Sequence, residues 1–130
     1  MAKISRLEKH LGPGHTGLVL FDALNGYLHP ESPAKGDVLV PKQRWSSFFQ
    51  THLDLQLKVR GIDTILIAGG STDVGIASTV FAARDLDYGI AVVRDACYSS
   101  RGNNHDFFMD RVFPRMARVM SVDDAVSLMI

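Results

Sequence analysis

Gly61-Ile62-Asp63-Thr64-Ile65-Leu66-Ile67-Ala68-Gly69-Gly70-Ser71-Thr72-Asp73-Val74-Gly75 is the stretch whose reading decides the fold. Ile62 to Ala68 is a short, nearly continuous apolar run, the pattern of a strand buried on both faces of a parallel sheet. It runs straight into two glycines and a polar turn, and a helix follows. Val74, Ala77, Val80, Phe81 and residues 83–86 supply that helix with a packing face, Thr72 or Asp73 is available as its N-cap, and Gly89 as its stop.

Upstream, Trp45, Phe48, Phe49, Leu53 and Leu57 recur at helical spacing, which predicts an amphipathic helix from Trp45 to Arg60 with Gly61 as its C-cap. Before it, Asp37-Val38-Leu39-Val40-Pro41-Lys42 offers a short strand ending in a lysine, and Gly17-Leu18-Val19-Leu20-Phe21 a buried strand ending at Asp22. Asn25-Gly26, His29-Pro30 and Ser32-Pro33 punctuate the loop between them. Residues 1–16, with Gly12-Pro13-Gly14, read as an N-terminal arm, and 17–130 as one domain. Downstream, Ile90 to Val93 makes a strand leading to Asp95. His105 to Phe113 makes a short helix closed by Pro114, Ala117 to Met120 a last strand, and Ser121-Val122-Asp123-Asp124 the capped start of a final helix. Such alternation predicts an α/β fold, a three-layer α/β/α sandwich around a mostly parallel, Rossmann-like sheet of about five strands. Ligands of such sheets bind outside the carboxyl ends of the strands. Asp22, Lys42 and the turn from Gly69 to Gly75 all fall at such ends and can meet in one pocket.

Composition narrows the partners. A chain of 130 residues, 46% hydrophobic and 22% charged, suits one domain with one core. Fourteen basic side chains balance fourteen acidic ones, without a run of one sign, which argues against nucleic acid and anionic membrane surfaces and leaves a small-molecule substrate. No apolar stretch approaches the roughly 20 residues of a membrane span, and the opening residues lack the apolar core of a signal peptide, so the cytoplasm is expected. One cysteine, Cys97, excludes an internal disulfide, and the absence of a CxxC pair or a close His and Cys set predicts no metal and no cofactor.

Three segments together resemble one family. Leu20-Phe21-Asp22-Ala23-Leu24-Asn25-Gly26-Tyr27 looks like the strand-terminal Asp motif of the isochorismatase-like (cysteine) hydrolases. Pro41-Lys42-Gln43-Arg44-Trp45-Ser46-Ser47-Phe48-Phe49 is similar to the segment that supplies their active-site lysine, and Gly61 to Gly75 to the segment that holds their nucleophile. Ser78-Thr79 and Arg94-Asp95-Ala96 continue the pattern, so that the resemblance covers most of residues 17–125. It implies Asp22 as acid or base, Lys42 as its electrostatic partner, a cis bond at Gly70-Ser71, and a homo-oligomer, dimer or tetramer. It also implies two departures. Gly75 stands at the nucleophile position, so a thiolate cannot form an acyl-enzyme there. About twenty residues separate the Asp and Lys motifs, which omits one helix-strand unit between Asn25 and Asp37 and leaves strand one with an open edge.

The isochorismatases proper resemble this pattern, with glycine in the cysteine's place, and their reaction needs no nucleophilic side chain. An aspartic acid protonates a vinyl-ether carbon, water adds to the cation, and pyruvate leaves. For that task Asp22 needs a pKa raised by burial. The turn from Gly69 to Thr72 would offer backbone N–H groups to a carboxylate or oxyanion. The function expected is a hydrolase using Asp-based acid–base chemistry on a small carboxylate- or carbonyl-bearing substrate. The alternatives are a non-catalytic, ligand-binding or oligomer-forming relative, and a truncated product.

Each candidate also has a plainer role. Asp22 and Asn25 can cap a turn, Lys42 can be a solvated lysine, and Gly69-Gly70 can be no more than a tight connection. Asp73 can be a helix cap; Trp45 and Phe48 can be core rather than pocket lining. Ser71 and Thr72 are candidates only as part of the turn. His29 and His105 lack a partner at ligand spacing and read as surface groups. Asp95 reads as a residue that positions the chain after its strand.

Overall fold

The computed structural model describes residues 14–20 and 38–129. Four parallel strands form one sheet in the order β1-β2-β3-β4. They are β1 (Thr16–Leu20), β2 (Thr64–Gly70), β3 (Gly89–Tyr98) and β4 (Arg118–Met120). The helices are α1 (Leu53–Val59), α2 (Ala77–Asp85), α3 (Asn104–Phe107) and α4 (Val122–Met129). This is the expected α/β architecture, with four strands among the described residues where about five were expected.

Alternation along β2 and β3 divides the interior in two. Ile65, Ile67, Ile90 and Val92 face a large core with Leu57 of α1, Val80 of α2 and Phe113, whereas Leu66, Ala91 and Val93 face a smaller core closed by Ala125 of α4. Two cores on opposite faces of one sheet make the three layers. Burying each of these aliphatic side chains contributes about 1.5–3 kcal/mol.

Several expectations need correction. The strand at Asp37 to Lys42 is absent over residues 38–42, which run without regular structure. The helix expected from Trp45 begins only at Leu53, because hydroxyls compete for the backbone before it. Ser46 Oγ accepts from Phe48 N at 3.1 Å, Thr51 Oγ1 donates to Ser47 O at 2.5 Å and accepts from Leu53 N at 3.2 Å, and Gln50 takes φ +52. The far end of that helix is as expected. Gly61, at φ +67, donates to Lys58 O while Ile62 N donates to Leu57 O, the paired bonds of a Schellman ending. Finally, β1 is buried on one face only. Gly17 and Val19 turn toward α1 and the larger core, but Leu18 and Leu20 are 59% and 56% exposed, because β1 is outermost of the described strands and α4 lies over the β3 side.

After α3 the chain continues as a π-helical turn (Phe108–Val112) and a 3-10 turn (Phe113–Arg115), where one helix to Phe113 was expected. Pro114 has no N–H to continue an α-helix, and Phe113 ends the segment by plugging into the core with no exposed surface. The last helix starts as expected, with Ser121 Oγ accepting from Asp124 N at 3.0 Å. Asp95, within β3, accepts from Val122 N at 2.8 Å and so ties α4 to the sheet.

Candidate functional site

The turn at the carboxyl end of β2 is built from glycine on one side and a helix on the other. Gly69 takes φ +124, where a side chain is rarely accommodated, and the Gly70–Ser71 peptide bond is cis. Ser71 is extended, Thr72–Ile76 forms a π-helical turn, and α2 follows without a break. Ser71 O accepts from Val74 N at 3.2 Å and Ile76 N at 3.1 Å. The N-cap is therefore Ser71, not Thr72 or Asp73, and its hydroxyl points elsewhere. Gly75 is buried within this turn.

Asp73 gathers the surrounding polar groups. Its Oδ1 accepts from Ser71 Oγ at 2.6 Å and Ser99 Oγ at 2.8 Å, and its Oδ2 from Asn104 Nδ2 at 2.7 Å. The Ser71 and Asn104 donors, with Ser99 adding to them, hold the carboxyl down at about 2 against the opposing effect of burial. A carboxylate so occupied is a fastener between the β2 turn and the loop after β3. Asp73→Ala is expected to cost about 1.5–3 kcal/mol, the scale of hydrogen bonds to a charged group. Because the folded value lies below the ordinary 3.8, the stabilisation is complete above that pH and is lost as pH falls through about 2. Urea unfolding of the two proteins should show a gap that closes toward pH 2, and a pH-independent gap would contradict this account.

Thr72, fully buried, meets His105 Nδ1 through its Oγ1 at 2.8 Å. His105 is thus bonded to the site's turn rather than being a surface group. Tyr98 lies against Gly70: a Cβ on that glycine would sit 2.5 Å from the Tyr98 ring, so the ring occupies the space where a side chain would be. Arg94 on β3 then holds α3 from behind, donating to Asp106 Oδ1 at 2.8 Å and Asp110 Oδ1 at 2.6 Å. These pairs are more than half exposed on the carboxylate side, so they contribute modestly.

Lys42, half-buried, has Arg44 O at 3.3 Å from its Nζ among its contacts. Phe48 stacks on Tyr88 with ring centroids 5.6 Å apart, and Ser47 N donates to Thr79 Oγ1 on α2 at 2.9 Å, so this segment rests on the larger core. Trp45 is 68% exposed and lies outside that core. Asp22 and Asn25 lie outside the described residues, as does most of the expected short connection to Asp37.

Cys97 pairs with Gly69 across β3 and β2 and is buried, its thiol donating to Ile67 O at 3.9 Å. Burial pushes it up to about 11, so it stays a thiol at neutral pH and is no nucleophile. Among the described residues no group of His, Cys, Asp and Glu could hold a metal ion, and no helix is long and apolar enough to cross a membrane.

Tyr98, Ser99, Asn104 and His105 are the residues that motif reading missed. The signal was topological: adjacent parallel strands deliver their following loops to the same edge, so the loop after β3 had to meet the turn after β2.

The Isochorismatase domain model matches residues 2–124. The uncharacterized isochorismatase family protein YecD of Escherichia coli O157:H7 is 35% identical over 105 residues, covering 79% of this chain and 56% of YecD. Among solved structures, an isochorismatase family protein from Burkholderia thailandensis superposes with a TM-score of 0.72 at 32% identity, over 74% of this chain and 50% of that one. The nicotinamidase SaPncA of Staphylococcus aureus gives 0.60 at 30% identity, over 63% and 51%. The chain spans about half the length of these relatives. A parallel sheet with a glycine-rich turn feeding α2, together with these matches, places the chain in the isochorismatase-like hydrolase family.

Proposed function

We propose that the chain is a hydrolase acting on a small carboxylate- or carbonyl-bearing substrate through Asp22, without a cysteine nucleophile. The observation that carries this is Gly75, buried in the turn after β2 in a chain of this hydrolase family, while Cys97 is locked away as a thiol. Covalent thiol chemistry has no group to perform it there. Acid catalysis does: Asp22 protonates the vinyl-ether carbon of an isochorismate-like substrate, water adds to the cation, and pyruvate departs. Lys42 pairs with Asp22 or with a substrate carboxylate, and the backbone of the Gly69–Thr72 turn receives the oxyanion or carboxylate. Gly70, Ser71, Asn25 and Phe48 border the substrate. Thr72 and Asp73, with their polar atoms committed to His105, Ser71, Ser99 and Asn104, hold the turn in shape instead of touching substrate, and Trp45 lies at the rim. The match to a nicotinamidase supports a compact, carbonyl-bearing substrate class.

The same proposal has an arm, expected over residues 1–16 though Thr16 already opens β1, on a domain one helix-strand unit shorter between Asn25 and Asp37, working in the cytoplasm as a dimer or tetramer. The exposed Leu18 and Leu20 on β1 support the oligomer. A second reading, a ligand-binding relative without catalysis, is favoured by Gly75, which leaves no thiol in the turn after β2. Incubation with isochorismate separates them. Pyruvate release, followed by a coupled assay, supports the hydrolase; a thermal shift without release supports the binding protein, and neither response removes both.

A further inference from the structure

Three consecutive residues at the start of α3 each bind a different part of the molecule. Asn104 donates to Asp73, His105 meets Thr72, and Asp106 accepts from Arg94. Only the middle bond reaches a side chain with no exposed surface, and that side chain opens the π-helical turn that contains Gly75.

A hydroxyl within 2.8 Å of an imidazole has the geometry of an activated nucleophile and its base. Burial excludes that use, because a fully enclosed Thr72 Oγ1 cannot be approached by a substrate. What remains is mechanical. The hydroxyl is held from one side by His105, and the backbone of the same residue supplies Thr72 O to Ala77 N at the entry to α2. One residue therefore joins α3, through its hydroxyl, to the entry of α2, through its carbonyl.

We propose that His105 is a positioning residue of the site: through Thr72 it fixes the backbone of residues 72–76, so that the N–H groups and the space at Gly75 keep one geometry. This rests on taking the turn after β2 as the floor of the site. The Asp73 cluster does not duplicate it, since Asp73, Ser71 and Ser99 are half-buried and Asn104 is exposed, whereas His105 bonds Thr72, which is fully buried.

Amide hydrogen exchange, read peptide by peptide on the whole chain, tests this without any ligand. His105→Ala and Thr72→Val, which break the bond from its two ends, are expected to speed exchange in residues 72–77 about tenfold or more. Peptides from β2, from residues 89–93 of β3 and from α4 should keep their rates. His105→Asn, whose side-chain amide can reach the place of Nδ1, and Thr72→Ser, which keeps the hydroxyl, should restore slow exchange to within about threefold. The double variant His105→Ala with Thr72→Val should add nothing to either single change. Unchanged exchange in 72–77, acceleration spread evenly over the sheet, unfolding of both single variants, or failure of both conservative variants to restore the rate would each overturn the proposal. Absence of pyruvate release in the isochorismate assay would overturn the hydrolase and leave this result standing, so the two failures are distinguishable.

Discussion

Exchange of Asp22 for asparagine is expected to lower turnover of an isochorismate-like substrate by about 10²–10⁴-fold, the contribution of a positioned general acid. Asparagine keeps the size of the side chain and one carbonyl oxygen, but its amide cannot give up a proton to carbon. Binding should therefore stay within a few fold, and the loss should fall on kcat rather than KM. Steady-state kinetics of pyruvate release measure both. Equal kcat in the two proteins would end the acid role. A matched loss in kcat/KM that lies entirely in KM would instead assign Asp22 to substrate binding. Gly75 sharpens the expectation: with no nucleophile at that position there is no second route by which the variant could retain covalent turnover.

Phe113→Ala is expected to lower stability by about 3–5 kcal/mol, the usual cost of emptying a buried aromatic site. Phe113 has no exposed surface and lies with its ring centroid 5.5 Å from that of Phe108, and its carbonyl accepts from Met116 N and Ala117 N on the way into β4. Small domains carry about 5–15 kcal/mol in total, so the loss is a large share. For a domain of this size it corresponds to about 10–20 °C in Tm. Phe113→Leu, which refills most of the volume, should cost about 1–2 kcal/mol. Thermal and urea unfolding would show it, and a near-neutral alanine variant would mean that the segment after α3 is not anchored where it is described.

β2, its glycine turn and β3 were legible because their signals are local and agree with burial on two faces. The Val38–Val40 run carries strand chemistry, yet strand formation needs a hydrogen-bonded neighbour, and none of the described strands pairs with it. The helix expected from Trp45 failed for a reason visible in the sequence, the serines and threonine at Ser46, Ser47 and Thr51, but apolar spacing masked it. β1 looked doubly buried because its composition is that of an interior strand, although the short connection to Lys42 already implied an open edge, and it is outermost of the described strands. In the site, Gly69, Gly70 and Ser71 fall at one turn, as the motif implied. Asp73 was recognised as polar and near, though its three donors come from Ser71 and from the loop 26 and 31 residues further on, where only tertiary structure brings them. His105 shows the same limit: nothing in its own neighbourhood of sequence announces Thr72.

The run Asn104, His105, Asp106 has a consequence for how this loop can change length. Successive residues of a helix are rotated by about 100° and advanced by 1.5 Å. The connection from Ser99 to Asn103 has to deliver α3 in the one rotation that serves all three partners, so a residue inserted or deleted there would strain the three bonds together. Substitutions at Ser100, Arg101 and Asn103 should be tolerated one by one, because their side chains are exposed, whereas Gly102 takes φ +53 and favours glycine. Indels there should not be, so this short surface loop is constrained in its count of residues far more tightly than in their identity.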